Sequence, residues 1–171
     1  MSRLRSLSRS TVRSLICFAV VSLSATAAFA HCQIPCGIYG DETRFVTLRE
    51  HVTTIEKSMQ QITEVGKAEA PNWNQLVRWV SNKDEHADAL SEIVTYYFMA
   101  QRIKPPAADA DDAAKAKYQT ELGILHRMLV HSMKAKQTTD LEQVNELRAL
   151  IDALETSYMG KNKGHGAGHS H

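Results

Sequence analysis

Between residues 42 and 158 apolar side chains return at steps of three and four, which winds them onto single stripes of successive helices. From about Glu42 to Val65 the stripe is Phe45, Leu48, Val52, Ile55, Met59 and Ile62, and Gly66 and Pro71 end it. From about Asn72 to Ile103 it is Leu76, Val80, Ala87, Leu90, Val94 and Tyr97, interrupted by Lys83, with Asn72 and Gln75 resembling a capping box. Pro105 and Pro106 forbid continuation, and the Ala/Asp run after them reads as a loop leading into a helix start. A third helix, roughly Asp111 to Lys136, presents Tyr118, Leu122, Leu125 and Leu129. A fourth, about Asp140 to Tyr158, presents Leu141, Val144, Leu147, Ile151, Leu154 and Tyr158, with Thr139 and Glu142 at capping spacing. No useful length alternates with period two, so the fold class is all-α: an antiparallel four-helix bundle over residues 41–159. Trp73, Trp79 and Phe98 are apolar groups available for association between chains.

The two ends of the chain do not share this pattern. Arg3, Arg5, Arg9 and Arg13 among serines, an apolar run from Leu15 to Val21, and Ala28-Phe29-Ala30 have the order of a secretion signal, residues 1–30, removed by signal peptidase after Ala30. The apolar run is too short and too serine-broken for a comfortable membrane span, so no stable anchor is expected. The expected location is therefore outside the cytoplasm, periplasmic or extracellular. At the other end, residues 160–171 are glycine-rich with His165, His169 and His171 and no apolar anchor, and are expected to be disordered.

The leader also changes the charge balance. The whole chain has 20 basic and 19 acidic residues, but without the four leader arginines the count is 16 against 19, or −3. A mildly acidic protein lacks the basic field that neutralises phosphates, which argues against nucleic acid as the main partner.

Cleavage after Ala30 would leave His31-Cys32-Gln33-Ile34-Pro35-Cys36-Gly37-Ile38-Tyr39 as the new terminus. That terminus carries a free α-amine, an imidazole, a backbone amide and two thiols within six residues. The amine of His31, the amide nitrogen of Cys32 and its thiolate form fused five-membered chelate rings, and Cys36 closes a fourth corner across the loop containing Pro35. Two nitrogens and two thiolates suit a square-planar nickel or copper ion, with the His31 imidazole as axial ligand. A thiolate-rich, anionic set favours a higher oxidation state, which allows one-electron chemistry. The plainer reading of Cys32 and Cys36 is a small structural disulfide in an oxidising compartment. Lipid attachment at Cys32 would need a small residue before it, where His31 stands.

At these residues the chain resembles the nickel superoxide dismutase family, whose mature N-terminus is His-Cys-x-x-Pro-Cys-Gly-x-Tyr. The resemblance implies a nickel cofactor cycling between Ni2+ and Ni3+, held in an N-terminal hook, residues 31–40, by His31, Cys32 and Cys36. It implies that Pro35 shapes the loop through a cis peptide and that Tyr39 gates small anions. It further implies superoxide as substrate and a homohexamer of four-helix bundles, and Lys104-Pro105-Pro106 has its counterpart there. Gln33 departs from the family's frequent aspartate, and a secretion signal stands where some members use a dedicated propeptide. The family orients its axial imidazole with a glutamate and an arginine; here Glu50 and Arg78 are candidates, with His86 as another occupant of the arginine's place. His51, His86, His126 and His131, as single histidines on helices, otherwise read as surface or core-edge residues. An exported nickel or copper delivery protein, with the histidine tail as a scavenging arm, is the alternative from a different class. It would exchange metal readily and show no redox turnover.

Overall fold

A computed structural model describes residues 40–160. The helices are α1 (Asp41–Gly66), α2 (Trp73–Glu92), α3 (Asp112–Gln137) and α4 (Glu142–Met159), and no strand occurs among the described residues. A π-helical segment, Ile93–Arg102, prolongs α2. Each boundary falls within two residues of the one the periodicity predicts.

The cross-helix pairs show how the four helices run. Between α1 and α2, His51 meets His86 and Ser58 meets Asn82; between α3 and α4, Arg127 meets Glu146 and His131 meets Gln143. Between α1 and α4, Arg49 meets Asp152 and Arg148 meets Glu56; α2 meets α3 through Asp88–Lys136 and Ser91–Ser132. In each case one number rises as its partner falls, so every neighbouring pair is antiparallel and the four close into a ring.

The stripes become the core. Phe45, Leu48, Val52, Ile55 and Met59 of α1 are fully buried, as are Leu90, Val94 and Phe98 of the second helix. Leu125 and Met128 of α3 face Val144, Leu147, Ile151 and Leu154 of α4. Phe98 is thus core and not the association surface expected of it, because it packs on Phe45 with ring centroids 5.1 Å apart and on Tyr158 at 5.9 Å. Trp73 does stand at the surface, 67% exposed, whereas Val80, assigned to the stripe, is 38% exposed. The buried face of α2 fades toward its N-terminus: its buried residues, Lys83, Ala87 and Leu90, all lie in the C-terminal half.

Polar groups settle the helix ends. Asn72 accepts from the Gln75 amide at 3.2 Å and Asp111 from the Ala114 amide at 2.7 Å, each satisfying an otherwise orphaned donor. At α4 the amide of Glu142 is taken by Asp140 Oδ1 at 3.0 Å and Leu141 stands at the cap position, so Thr139 does not play the capping part that the sequence spacing suggests. Lys83, which interrupts the apolar stripe, reaches across to the end of α3. Its Nζ donates to the carbonyls of Ala135 at 2.7 Å and Lys136 at 2.5 Å, capping two of the four unpaired carbonyls there.

The π segment has a local cause as well as a consequence. Thr95 Oγ1 donates back to the Ser91 carbonyl at 2.8 Å and Ser91 Oγ to that of Ala87 at 3.0 Å, contacts that loosen a helix's own ladder. The segment closes with the Ile103 amide on the Phe98 carbonyl at 2.8 Å, a five-residue step. Val94, Tyr97 and Phe98 are turned inward, and Tyr96 is left 54% exposed.

Candidate metal centre

The predicted site residues His31, Cys32, Cys36 and Tyr39, and with them Pro35, lie outside the described residues, as do the leader and the histidines of the tail. The described chain begins at Gly40, immediately after Tyr39.

Gly40 precedes α1 with φ −68° and ψ 145° and offers no side chain to cap it. The helix start is held by tertiary contacts of Asp41 instead. Asp41 Oδ1 accepts from the Tyr97 hydroxyl at 2.5 Å, and Oδ2 accepts from the Tyr158 hydroxyl at 2.9 Å. Arg102 Nε lies 3.0 Å from Oδ1 as an ion pair without the alignment of a hydrogen bond, while its Nη2 donates to Tyr97 Oη at 2.9 Å. The guanidinium groups of Arg44 and Arg102 each stand 4.9 Å from the centre of the Tyr97 ring.

This cluster orders its own protonation. Burial raises the Asp41 pKa, but the hydroxyls of Tyr97 and Tyr158 and the charge of Arg102 outweigh it, leaving the carboxyl below its ordinary range. Burial and the Asp41 carboxylate push Tyr158 up to about 12 and raise Tyr97 as well. At neutral pH the cluster is one carboxylate, two neutral phenols and two guanidiniums.

Of the residues considered as partners for the His31 imidazole, Glu50 and Arg78 are exposed on different helices. His86 instead meets His51, Nδ1 to Nδ1 at 2.8 Å, with the rings tilted at 58°. One ring donates and the other accepts, so at least one is neutral. Burial first, and then the charge of His86, lower the His51 pKa, against a smaller opposing effect of Glu50. His131 Nδ1 donates to Gln143 Oε1 at 2.9 Å and His126 is exposed. Sequence reading missed both the His51–His86 pair and the Asp41 cluster. A first-turn acid signals only a helix start, and the four residues around Asp41 come from three elements with no spacing in common.

Among the described residues no group of three or more His, Cys, Asp or Glu side chains is placed to hold a metal ion. Cysteine is absent from the described residues, since Cys17, Cys32 and Cys36 all precede Gly40. Thiol donors, which suit nickel, are therefore found in the sequence only ahead of α1.

A family model for nickel-containing superoxide dismutase matches residues 26–162, four-fifths of the chain. Comparison with curated proteins and with solved structures yields no match. The match and the helical bundle together define a metal-dependent oxidoreductase. The chain belongs to the nickel-containing superoxide dismutase family. Its reaction is the nickel-dependent disproportionation of superoxide, in which two superoxide anions and two protons give dioxygen and hydrogen peroxide.

Proposed function

We propose that this dismutase works through a hook made by proteolysis: signal peptidase cuts after Ala30, and His31, Cys32 and Cys36 of the new terminus hold the nickel. The supporting observation is that the family match begins at residue 26, so it covers the whole His31–Tyr39 motif, and ends before the histidines of the tail. In this reading residues 31–40 form the hook, residues 41–159 the bundle that carries it, and residues 160–171 a solvated tail. The bound nickel supplies one-electron exchange between its divalent and trivalent states.

The chain's own groups supply the remaining steps. The thiolates of Cys32 and Cys36 and the terminal amine of His31 would hold the metal, with the His31 imidazole as a further ligand. In this reading the Tyr39 hydroxyl orders the water or small anion that approaches, and so governs access. Superoxide has two atoms and one negative charge, so encounter depends on local field more than on a large cavity. The positive end of α1 and the two guanidiniums around Asp41 contribute to that field.

The same reading places the working protein in the periplasm or outside the cell and assembles it as a homohexamer. Among the described residues no helix is long and apolar enough to cross a membrane. Trp73, Val77 and Val80, all exposed along one side of α2, are apolar surface suited to association.

Replacement tests the ligand set. Cys32→Ser and Cys36→Ser are expected to lose nickel and at least about a hundredfold in turnover while helix content stays unchanged. A nickel-loaded Cys36→Ser protein with full turnover would contradict the assignment.

A further inference from the structure

The Asp41 cluster uses more polar chemistry than closing one end of a bundle requires. A charged carboxylate with two arginines is costly to hold in a partly buried place, and apolar residues of similar size often pack as stably. What such a network does provide is a fixed geometry. Tyr97 comes from the π segment, Tyr158 from the last turn of α4 and Arg102 from the end of the π segment, and all three converge on the first residue of α1. Beneath them Phe45, one turn further along α1, packs against Phe98 and Tyr158, so the aromatic rings that carry the hydroxyls are themselves held. The helix has no side-chain cap at Gly40 that could do this locally.

The position in the chain gives that geometry its use. Asp41 is two residues after Tyr39 and five after Cys36, and five residues reach at most about 17 Å. A start of α1 that moved would carry both along with it. We propose that Asp41 is a positioning residue for the nickel hook: anchored on Tyr97, Tyr158 and Arg102, it fixes the start of α1, to which the segment bearing Cys36 and Tyr39 is joined through Gly40. The inference rests on the reading of residues 31–39 as the nickel site.

The test uses processed, nickel-loaded protein beginning at His31. Asp41→Asn keeps the shape but weakens the anchor, and Tyr158→Phe removes one hydroxyl while keeping the ring, which guards against loss of the fold. Lys136→Met, which breaks a surface pair with Asp88 on the α2–α3 side, controls for stability alone. Four quantities are read: nickel per chain, the electron paramagnetic resonance spectrum of the oxidised protein, amide exchange at residues 42–44, and turnover. Asp41→Asn is expected to keep one nickel per chain and its helix content. Its amide exchange at residues 42–44 rises, its resonance broadens, and its turnover falls about ten- to a hundredfold, the scale set by an ångström of misplacement. Tyr158→Phe shifts the same readouts in the same direction by less, and Lys136→Met leaves the spectrum unchanged.

A wild-type spectrum and turnover within twofold in Asp41→Asn, with both lost in Cys36→Ser, overturns the positioning role and leaves the hook standing. Unchanged spectra in both variants overturn the hook and the positioning role together. Loss of the spectrum in Lys136→Met as well reduces the effect to global stability and also overturns the positioning role.

Discussion

Lys83 breaks an otherwise regular stripe, and from the sequence it is only an interruption. Folded, it is 3% exposed and donates to two carbonyls at the end of α3, with Asp84 Oδ1 3.0 Å from its ammonium. Lys83→Met would fill the same space but leave those carbonyls without a donor, at a cost of about 1–3 kcal/mol. Urea denaturation should show a lower midpoint with an unchanged slope; an unchanged midpoint would mean that water replaces the ammonium. A lysine's partner 52 residues away is set by helix register across the bundle, which local spacing does not encode. Tyr158 shows the same limit. Periodicity marks it as a stripe residue, which its ring is, but not its hydroxyl's bond to Asp41. The raised pKa of Tyr158 favours the neutral phenol in the folded state. Its stabilising effect is complete below the unfolded value of about 10 and disappears as pH rises toward 12. Alkaline unfolding followed by tyrosinate absorbance should therefore begin in that window, and Tyr158→Phe should flatten this part of the profile.

Helices were the most legible level, because a 3.6-residue period accumulates over twenty or more residues and survives single exceptions. Their ends were legible to within two residues through Asn72, Asp111, Gly66 and Pro105. The π segment was not, since its five-residue hydrogen bonds leave Leu90, Val94 and Tyr97 at steps an ordinary helix would also show. Pairing of elements was equally hidden. The contact of His51 with His86 joins α1 to α2 and requires that the two rings share a proton. The His51 pKa is lowered, so its folded state prefers the neutral ring; that contribution is present above about pH 6.5 and is lost as pH falls through the lower folded value. Acid titration of the melting temperature should show a decline beginning below that pH, and His86→Asn should diminish it. A wild-type profile in His86→Asn would show that the pair is not what titrates.

At the scale of the whole molecule, the proposed chemistry and its scaffold occupy different parts of the chain. All three cysteines precede Gly40, and among the described residues of the bundle no three or more His, Cys, Asp or Glu side chains gather to hold a metal ion. The family and its nickel cofactor were legible because the motif that carries the resemblance is contiguous and specific, whereas the Asp41 cluster is assembled from distant residues that no local spacing links. A terminal amine as ligand makes the account sensitive to the first residue. One extra residue ahead of His31, such as a retained methionine, should remove the amine chelate and suppress activity without changing helix content by circular dichroism. The most direct test of the central claim is superoxide consumption by nickel-loaded protein whose N-terminus has been established by mass. The account predicts rapid, nickel-dependent consumption by protein that starts at His31. Fully metallated protein with that terminus and no turnover, or equal turnover by protein that still carries residues 1–30, would contradict it.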